Sequence, residues 1–467
     1  MTTSSAAVRS SLSHPVIDAD GHFIEFLPGA LDAIRDEGGP GVVDRVRVLE
    51  PSAPFGRLSD EERAQKRIPK GTWWAFPTRN TLDRATATFP SLLDERLGEL
   101  GLDFAILYPS LSVFFPHIQD EDVRVAACRG INRYHAEIFR PFTHHFAPAA
   151  LIPLHTPAEG VAALDHAVGL GLKTALIPSY VTRPVPTSPA ERWNDTYGID
   201  SDHDYDPFWN ACIRHGIVPA GHSSANGRGW PARSSISSFV YNHIGHFAEA
   251  QEALCKSLLL GGVTRRFPAL RVAFLEGGVA WAVRVLGDLA EHWEKRNVAA
   301  LAEVDPEQLD RAMFRDLMVK HGADLLGDRD PDLVLDRMFP PLPRPTPEEL
   351  DEWAASGIER RQDVADRFVP NFYFGCEPDD ATARFAFASG NPFGARLHAM
   401  LGSDIGHFDV VDMRQVLHEA HEQVEKGRMT EDDFRDFTFA NAARLYTANR
   451  PDFFAGTSVE NEVRQVI

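Results

Sequence analysis

Eight short apolar runs punctuate the chain, at residues 16–19, 104–108, 147–152, 174–177, 217–220, 272–275, 372–374 and 399–401. Turn signals bound each run. The runs are continuous rather than alternating, the pattern of strands buried on both faces of a parallel sheet. Helical periodicity fills the intervals. Residues 121–139 carry apolar Val123, Ala126, Ala127, Ile131, Tyr134 and Ile138, and 157–169 opens on a helix-start proline. Further helices are expected over 207–215, 236–260, 279–295, 379–389, 411–426 and 433–449. Strands alternating with helices predict an α/β fold, a (β/α)8 TIM-type barrel. An open doubly wound sheet is the alternative. The strand count and the polar residues at strand ends favour the barrel.

Three stretches exceed a minimal barrel: about 28–101, 182–205 and 297–366. Loops after strands sit on the catalytic face of such barrels, so these insertions are expected to wall a pocket. The expected organisation is a disordered tail at 1–14, one domain over 15–449 and a C-terminal extension at 450–467. The 467 residues hold 47 Lys and Arg against 67 Asp and Glu, a net charge of −20. That balance repels phosphate backbones and anionic lipid, so neither nucleic acid nor a membrane surface is an expected partner. No apolar run approaches the ~18 residues of a membrane span. The N-terminus lacks the apolar core of a signal peptide. The four cysteines are scattered without CxxC spacing, which fits a reducing cytoplasm.

Chemistry gathers at the strand ends. The first run leads into Asp20-Gly21-His22, the fifth into Gly221-His222 and the eighth into Ser403-Asp404. Residues two apart on a strand share a face, so Asp20 and His22 can converge. Carboxylates with imidazoles make a divalent-metal ligand set, and a barrel would bring all four to one mouth. His222 as a hydrogen-bonded interior histidine and Asp404 as a turn cap are the bland alternatives. The sixth run ends in Leu275-Glu276. A buried carboxylate there needs a cation, a proton or donors, and could act as general acid/base; capping the next helix is the competing role.

The segments VIDADGH, LYPS, RVAFLEGGVAWA, GSDIGHFD and NAARLY, with the Gly-His of strand five, resemble the amidohydrolase-related group of the amidohydrolase superfamily. That group includes aminocarboxymuconate-semialdehyde decarboxylase and non-oxidative aromatic acid decarboxylases. The resemblance covers roughly residues 15–446. It implies a distorted barrel with one divalent ion on Asp20, His22, His222 and Asp404. The ion would be Zn²⁺ first, with Mn²⁺ or Fe²⁺ as alternatives. Two departures stand out. The usual HxH is Asp20-Gly21-His22, and a histidine common at the end of strand six is Glu276.

The expected activity is metal-dependent hydrolysis of a small cyclic or aromatic substrate through a metal-activated water. Glu276, Asp404 and His243 are the acid/base candidates, with His246 and His407 as further imidazoles. Decarboxylation of an aromatic or unsaturated acid is the alternative, and a non-catalytic binding barrel the third reading. Trp73, Trp74, Arg228 and Trp230 are expected to bind substrate, since an aromatic mouth suits a flat ligand. A homodimer or higher homo-oligomer is expected, with the insertions offering an interface.

Overall fold

The computed structural model describes residues 4–49, 58–71, 79–222, 233–407 and 410–467. All eight apolar runs are strands: β1 (Ile17–Phe23), β2 (Phe104–Pro109), β3 (Phe146–Leu151), β4 (Thr174–Ile177), β7 (Val218–Gly221), β8 (Val272–Phe274), β9 (Phe372–Cys376) and β10 (His398–Leu401). They form one parallel sheet in the order β1-β2-β3-β4-β7-β8-β9-β10. The chain leaving β10 returns to β1: Asp404 N donates to Asp20 O at 3.1 Å and His22 N to Ile405 O at 3.0 Å. These bonds bring the sheet to a nearly closed (β/α)8 barrel.

The continuous apolar runs follow from burial on both sides. Along β9, Phe372 and Phe374 pack outward against Phe368 and Trp281 on the surrounding helices, with ring centroids 5.2–5.4 Å apart for Phe368–Phe372 and Trp281–Phe374. Tyr373 between them joins the inner cluster with Ile106, Leu151, Leu176 and Met400. No polar alternation survives because neither face meets water.

Several expectations need correction. Residues 1–14 were expected as a disordered tail, but Ser5–Ser11 is a helix capped by Ser4, with Val8 buried. Ser5 Oγ accepts from Leu417 N at 2.9 Å and Arg9 pairs with Asp103. A seven-residue polar helix has no stability of its own, so only tertiary contacts reveal it. The loop expected over 182–205 contains an antiparallel hairpin, β5 (Val181–Val185) and β6 (Ser188–Asp195). Its strands are largely solvated, which removes the hydrophobic pattern that would mark them. The helix expected over 236–260 is two, Phe239–His243 and His246–Leu260, separated at Gly245 with φ 77°. The segment 379–389 forms only a short 3-10 turn, Ala383–Phe387.

Residues 450–467, expected as a C-terminal extension, dock on the barrel. Phe453, Phe454, Val459 and Val463 are buried, and Phe454 meets Phe104 at the start of β2 with centroids 5.2 Å apart. Within 297–366, helices Arg311–His321 and Pro331–Met338 pack on each other through Phe314 and Phe339. Among the described residues no helix is long and apolar enough to cross a membrane.

Burial holds five histidines neutral well into the acid range. It pushes His117, His246 and His398 down to about 4, and His135 and His155 down to about 3. The unfolded chain protonates each near pH 6.5, so below that pH it binds more protons and stability falls. Each histidine adds a slope of about 1.4 kcal/mol per pH unit. Asp18, raised to about 7 by burial, opposes this with one proton over the same range. The net expectation is progressive loss of stability from pH 6.5 down to about 4. Urea midpoints at pH 7.5, 6.5 and 5.5 check it, and a flat series contradicts it.

Candidate metal centre

The C-terminal ends of β1, β7, β8 and β10 deliver six side chains to one point. Asp20 and His22 come from β1, His222 from the residue after β7, Glu276 from just past β8, and Asp404 and His407 from the turn after β10. Of the four expected ligands, Asp20, His22 and His222 meet, and Asp404 joins them only through His22. His22 Nε2 and His222 Nε2 face each other at 3.0 Å. Asp20 Oδ1 lies 3.5 Å from both of these nitrogens, and Asp404 Oδ1 is 3.6 Å from His22 Nε2. Glu276 enters the same cluster, with Oε2 3.4 Å from His222 Nε2. His407 Nδ1 closes it, 2.5 Å from Asp404 Oδ1 and 3.2 Å from Glu276 Oε1.

These spacings and this burial ask for a cation. Ligands about 2.1 Å from a tetrahedral ion stand about 3.4 Å apart. Asp20, His22, His222 and Asp404 are at most 4% exposed. Asp20 Oδ1, Glu276 Oε2 and the Nδ1 atoms of His22 and His222 are buried with no hydrogen-bond partner in the structure. Buried carboxylate oxygens in that state are costly unless a positive charge sits among them. The donor set therefore fits a divalent ion, and two groupings offer ligand atoms within 4.8 Å of one another: Asp20, His22 and His222, and His22, Glu276, Asp404 and His407.

The electrostatics agree. Burial works against charge on every member. His222 nevertheless rises because Glu276 and Asp20 face it. Glu276 falls below the carboxylate range through His222 and His407, and Asp20 falls chiefly through His222. His407 rises well above the usual imidazole value through Asp404 and Glu276. Burial, with help from His407, lowers His22 to about 4, leaving its ring neutral and available to a metal.

The local backbone is built for this convergence. Asp18 pairs with Ala105 but Gly21 with Leu107, so β1 carries one extra residue over this stretch. The bulge turns Asp18 away from Asp20 despite their spacing of two. Asp18 instead accepts from Ser403 N at 2.9 Å, from Ser403 Oγ and from Asp20 N at 3.2 Å. One buried carboxylate thus ties together the backbones that carry Asp20 and Asp404. Glu276 and Asp404 hold left-handed φ of 56° and 51°, a conformation that non-glycine residues seldom keep without functional cause. Gly402 is required for space, because a Cβ there would stand 2.8 Å from Asp20 Cβ. Gly402→Ala is therefore expected to displace Asp20 and weaken metal binding about 10–100-fold, the range seen when a ligand's support is lost. Metal titration checks it, and unchanged affinity contradicts it.

His243 is not in the cluster. It lines a cleft of about 260 Å³ beside it, with Phe247, Glu276, Gly277 and Glu377. His246 is buried behind, its Nδ1 2.6 Å from His243 O. Besides His222, the imidazole beside Glu276 is that of His407. The signal that could have singled it out is its place three residues after Asp404, where Gly406 at φ 98° folds the chain back. Asp18 and Ser403 had no such signal, because their role depends on the bulge. Trp73, Trp74, Arg228 and Trp230 lie outside the described residues. Phe114 and Phe115 stack edge to face on each other, with Phe115 buried.

Comparison with known proteins places the fold. Similar solved structures include an amidohydrolase from Mycobacterium avium subsp. paratuberculosis K-10, with 16% identity, TM-score 0.53, and coverage of 93% of this chain and 100% of that one. A 5-carboxyvanillate decarboxylase from Novosphingobium aromaticivorans DSM 12444, with bound manganese and 3-methoxy-4-hydroxy-5-nitrobenzoic acid, has 13% identity, TM-score 0.51 and coverage of 93% and 97%. A dihydroxybenzoic acid decarboxylase from Polaromonas sp. JS666, with bound manganese and the inhibitor 2-nitroresorcinol, has 14% identity, TM-score 0.50 and coverage of 95% and 99%. No curated protein matches the sequence. The family model described as amidohydrolase matches residues 17–326, more than half of the chain and all of β1 to β8, and the chain therefore belongs to the amidohydrolase family.

Proposed function

We propose that Asp20, His22, His222 and Asp404 hold one divalent ion and that the chain hydrolyses a small cyclic or aromatic organic molecule there. The observation that carries this reading is the buried convergence of Asp20, His22 and His222, with Asp404 against His22 and with Glu276 Oε2 facing His222 without a hydrogen-bond partner. Held by Asp20, His22, His222 and Asp404, a divalent ion would supply Lewis acidity, polarising a substrate oxygen and lowering the pKa of water towards ~7. Glu276, held ionised by His222 and His407, accepts the proton as water adds to the substrate carbon. Asp404 shares that role through its contact with His407. The proton then passes to the leaving group as its bond to the carbon breaks. Two carboxylates beside two imidazoles suit Mn²⁺ as well as Zn²⁺.

A second reading, decarboxylation, is favoured by His407. An imidazole kept protonated between Asp404 and Glu276 is an acid poised to protonate a ring carbon as CO2 departs. Turnover in ¹⁸O-labelled water, across a panel of lactones, amides and aromatic acids, separates the two. Label in the product with no CO2 supports hydrolysis. CO2 release without label transfers the assignment to decarboxylation. No turnover by metal-loaded protein across the panel counts against both.

The same reading places the protein in a reducing, cytoplasmic setting, which its four free buried cysteines support. It also takes the chain to self-associate through the 297–366 insertion, where Leu325, Leu333 and Leu342 are exposed.

A further inference from the structure

A second constellation of metal-ligand type lies at the opposite rim of the barrel. Asp94 sits on the helix Pro90–Leu100, and His144 and His145 immediately precede β3. Asp94 Oδ1 is 2.8 Å from His145 Nδ1 and 3.4 Å from His144 Nε2. The two imidazole centroids are 4.0 Å apart, and one ligand atom from each residue lies within 4.8 Å of the others. All three side chains keep some solvent access, between a quarter and a half. Their backbones are fixed: His145 N donates to Phe142 O, His145 O accepts from Ala105 N, and His144 O accepts from Ser458 N.

We infer that Asp94, His144 and His145 form a second divalent-metal site of Zn²⁺ type, structural rather than catalytic. Two imidazole nitrogens and one carboxylate oxygen are a borderline-soft set, completed by water on the open side. Packing two imidazoles this closely against one carboxylate is poor for two protonated rings but good for two neutral rings around a cation. The set is richer in nitrogen than the mouth cluster, so it favours Zn²⁺ over Mn²⁺. An ion there would clamp the helix preceding β2 to the start of β3, a stretch already anchored to the C-terminal extension through Ser458. Its effect is on stability, because the reacting groups lie at the other ends of the strands.

Equilibrium dialysis against Zn²⁺ with elemental analysis tests this. The unmodified protein is expected to hold one Zn²⁺ per chain at this site, in addition to any ion at the mouth. His144→Gln/His145→Gln is expected to hold one Zn²⁺ fewer and to lose a Zn²⁺-dependent rise in Tm of several degrees. Asp94→Asn serves as a second variant that leaves both rings in place, and it is expected to weaken the second site at least tenfold. Circular dichroism verifies that each variant is folded. Equal Zn²⁺ stoichiometry in all three folded proteins overturns the assignment and leaves an ordinary Asp–His contact. Because the readout is the difference between proteins that vary only at a site remote from Glu276, it is independent of the metal and the reaction at the mouth.

Discussion

His222→Ala is expected to remove both the metal and the activity while the barrel stays folded. His222 is the hub of the cluster, within 3.5 Å of His22, Asp20 and Glu276. Its loss deletes one ligand and leaves Asp20 and Glu276, both buried carboxylates, without the imidazole that faces them. Metal affinity is expected to drop by at least about 10³-fold, beyond the 10–100-fold cost of losing a ligand's support. Turnover should fall below detection. The rest of the barrel does not depend on this side chain, since β7 is held by its ladders to β4 and β8. Elemental analysis and far-ultraviolet circular dichroism read the two halves of the expectation. Full metal occupancy in this variant would falsify the ligand assignment.

Glu276→Gln separates binding from chemistry. The amide keeps the volume and the left-handed backbone position but cannot accept a proton. Turnover is expected to drop about 10²–10⁴-fold, the range of a general base, with KM nearly unchanged. Metal content should remain, because Asp20, His22, His222 and Asp404 are intact. A rate within a few-fold of the unmodified enzyme would move proton transfer to Asp404 and His407. Should the variant lose its metal instead, Glu276 would be a ligand, as its grouping with His22, Asp404 and His407 allows.

Much of the architecture was legible in the residues because strands buried on both faces leave uninterrupted apolar runs, and all eight such runs are barrel strands. Asp20, His22, His222 and Asp404 were legible as candidates because each stands within three residues of the end of such a run. Elements that do not bury an apolar face of their own were not. The β5–β6 hairpin and the helix Ser5–Ser11 carry mostly polar residues and owe their form to contacts such as Arg183 with Asp195 at 2.6 Å and Ser5 with Leu417.

What the sequence by itself determined is the order of the eight barrel strands and the residues standing at their ends, since both follow from local periodicity and turn chemistry. Only the tertiary structure decided which of those residues meet. The bulge in β1 sends Asp18 to Ser403 while Asp20 enters the cluster, and the turn at Gly406 brings His407, rather than His243, against Glu276. Such choices depend on strand register and loop path. These are set by packing between segments hundreds of residues apart, and no local pattern records them.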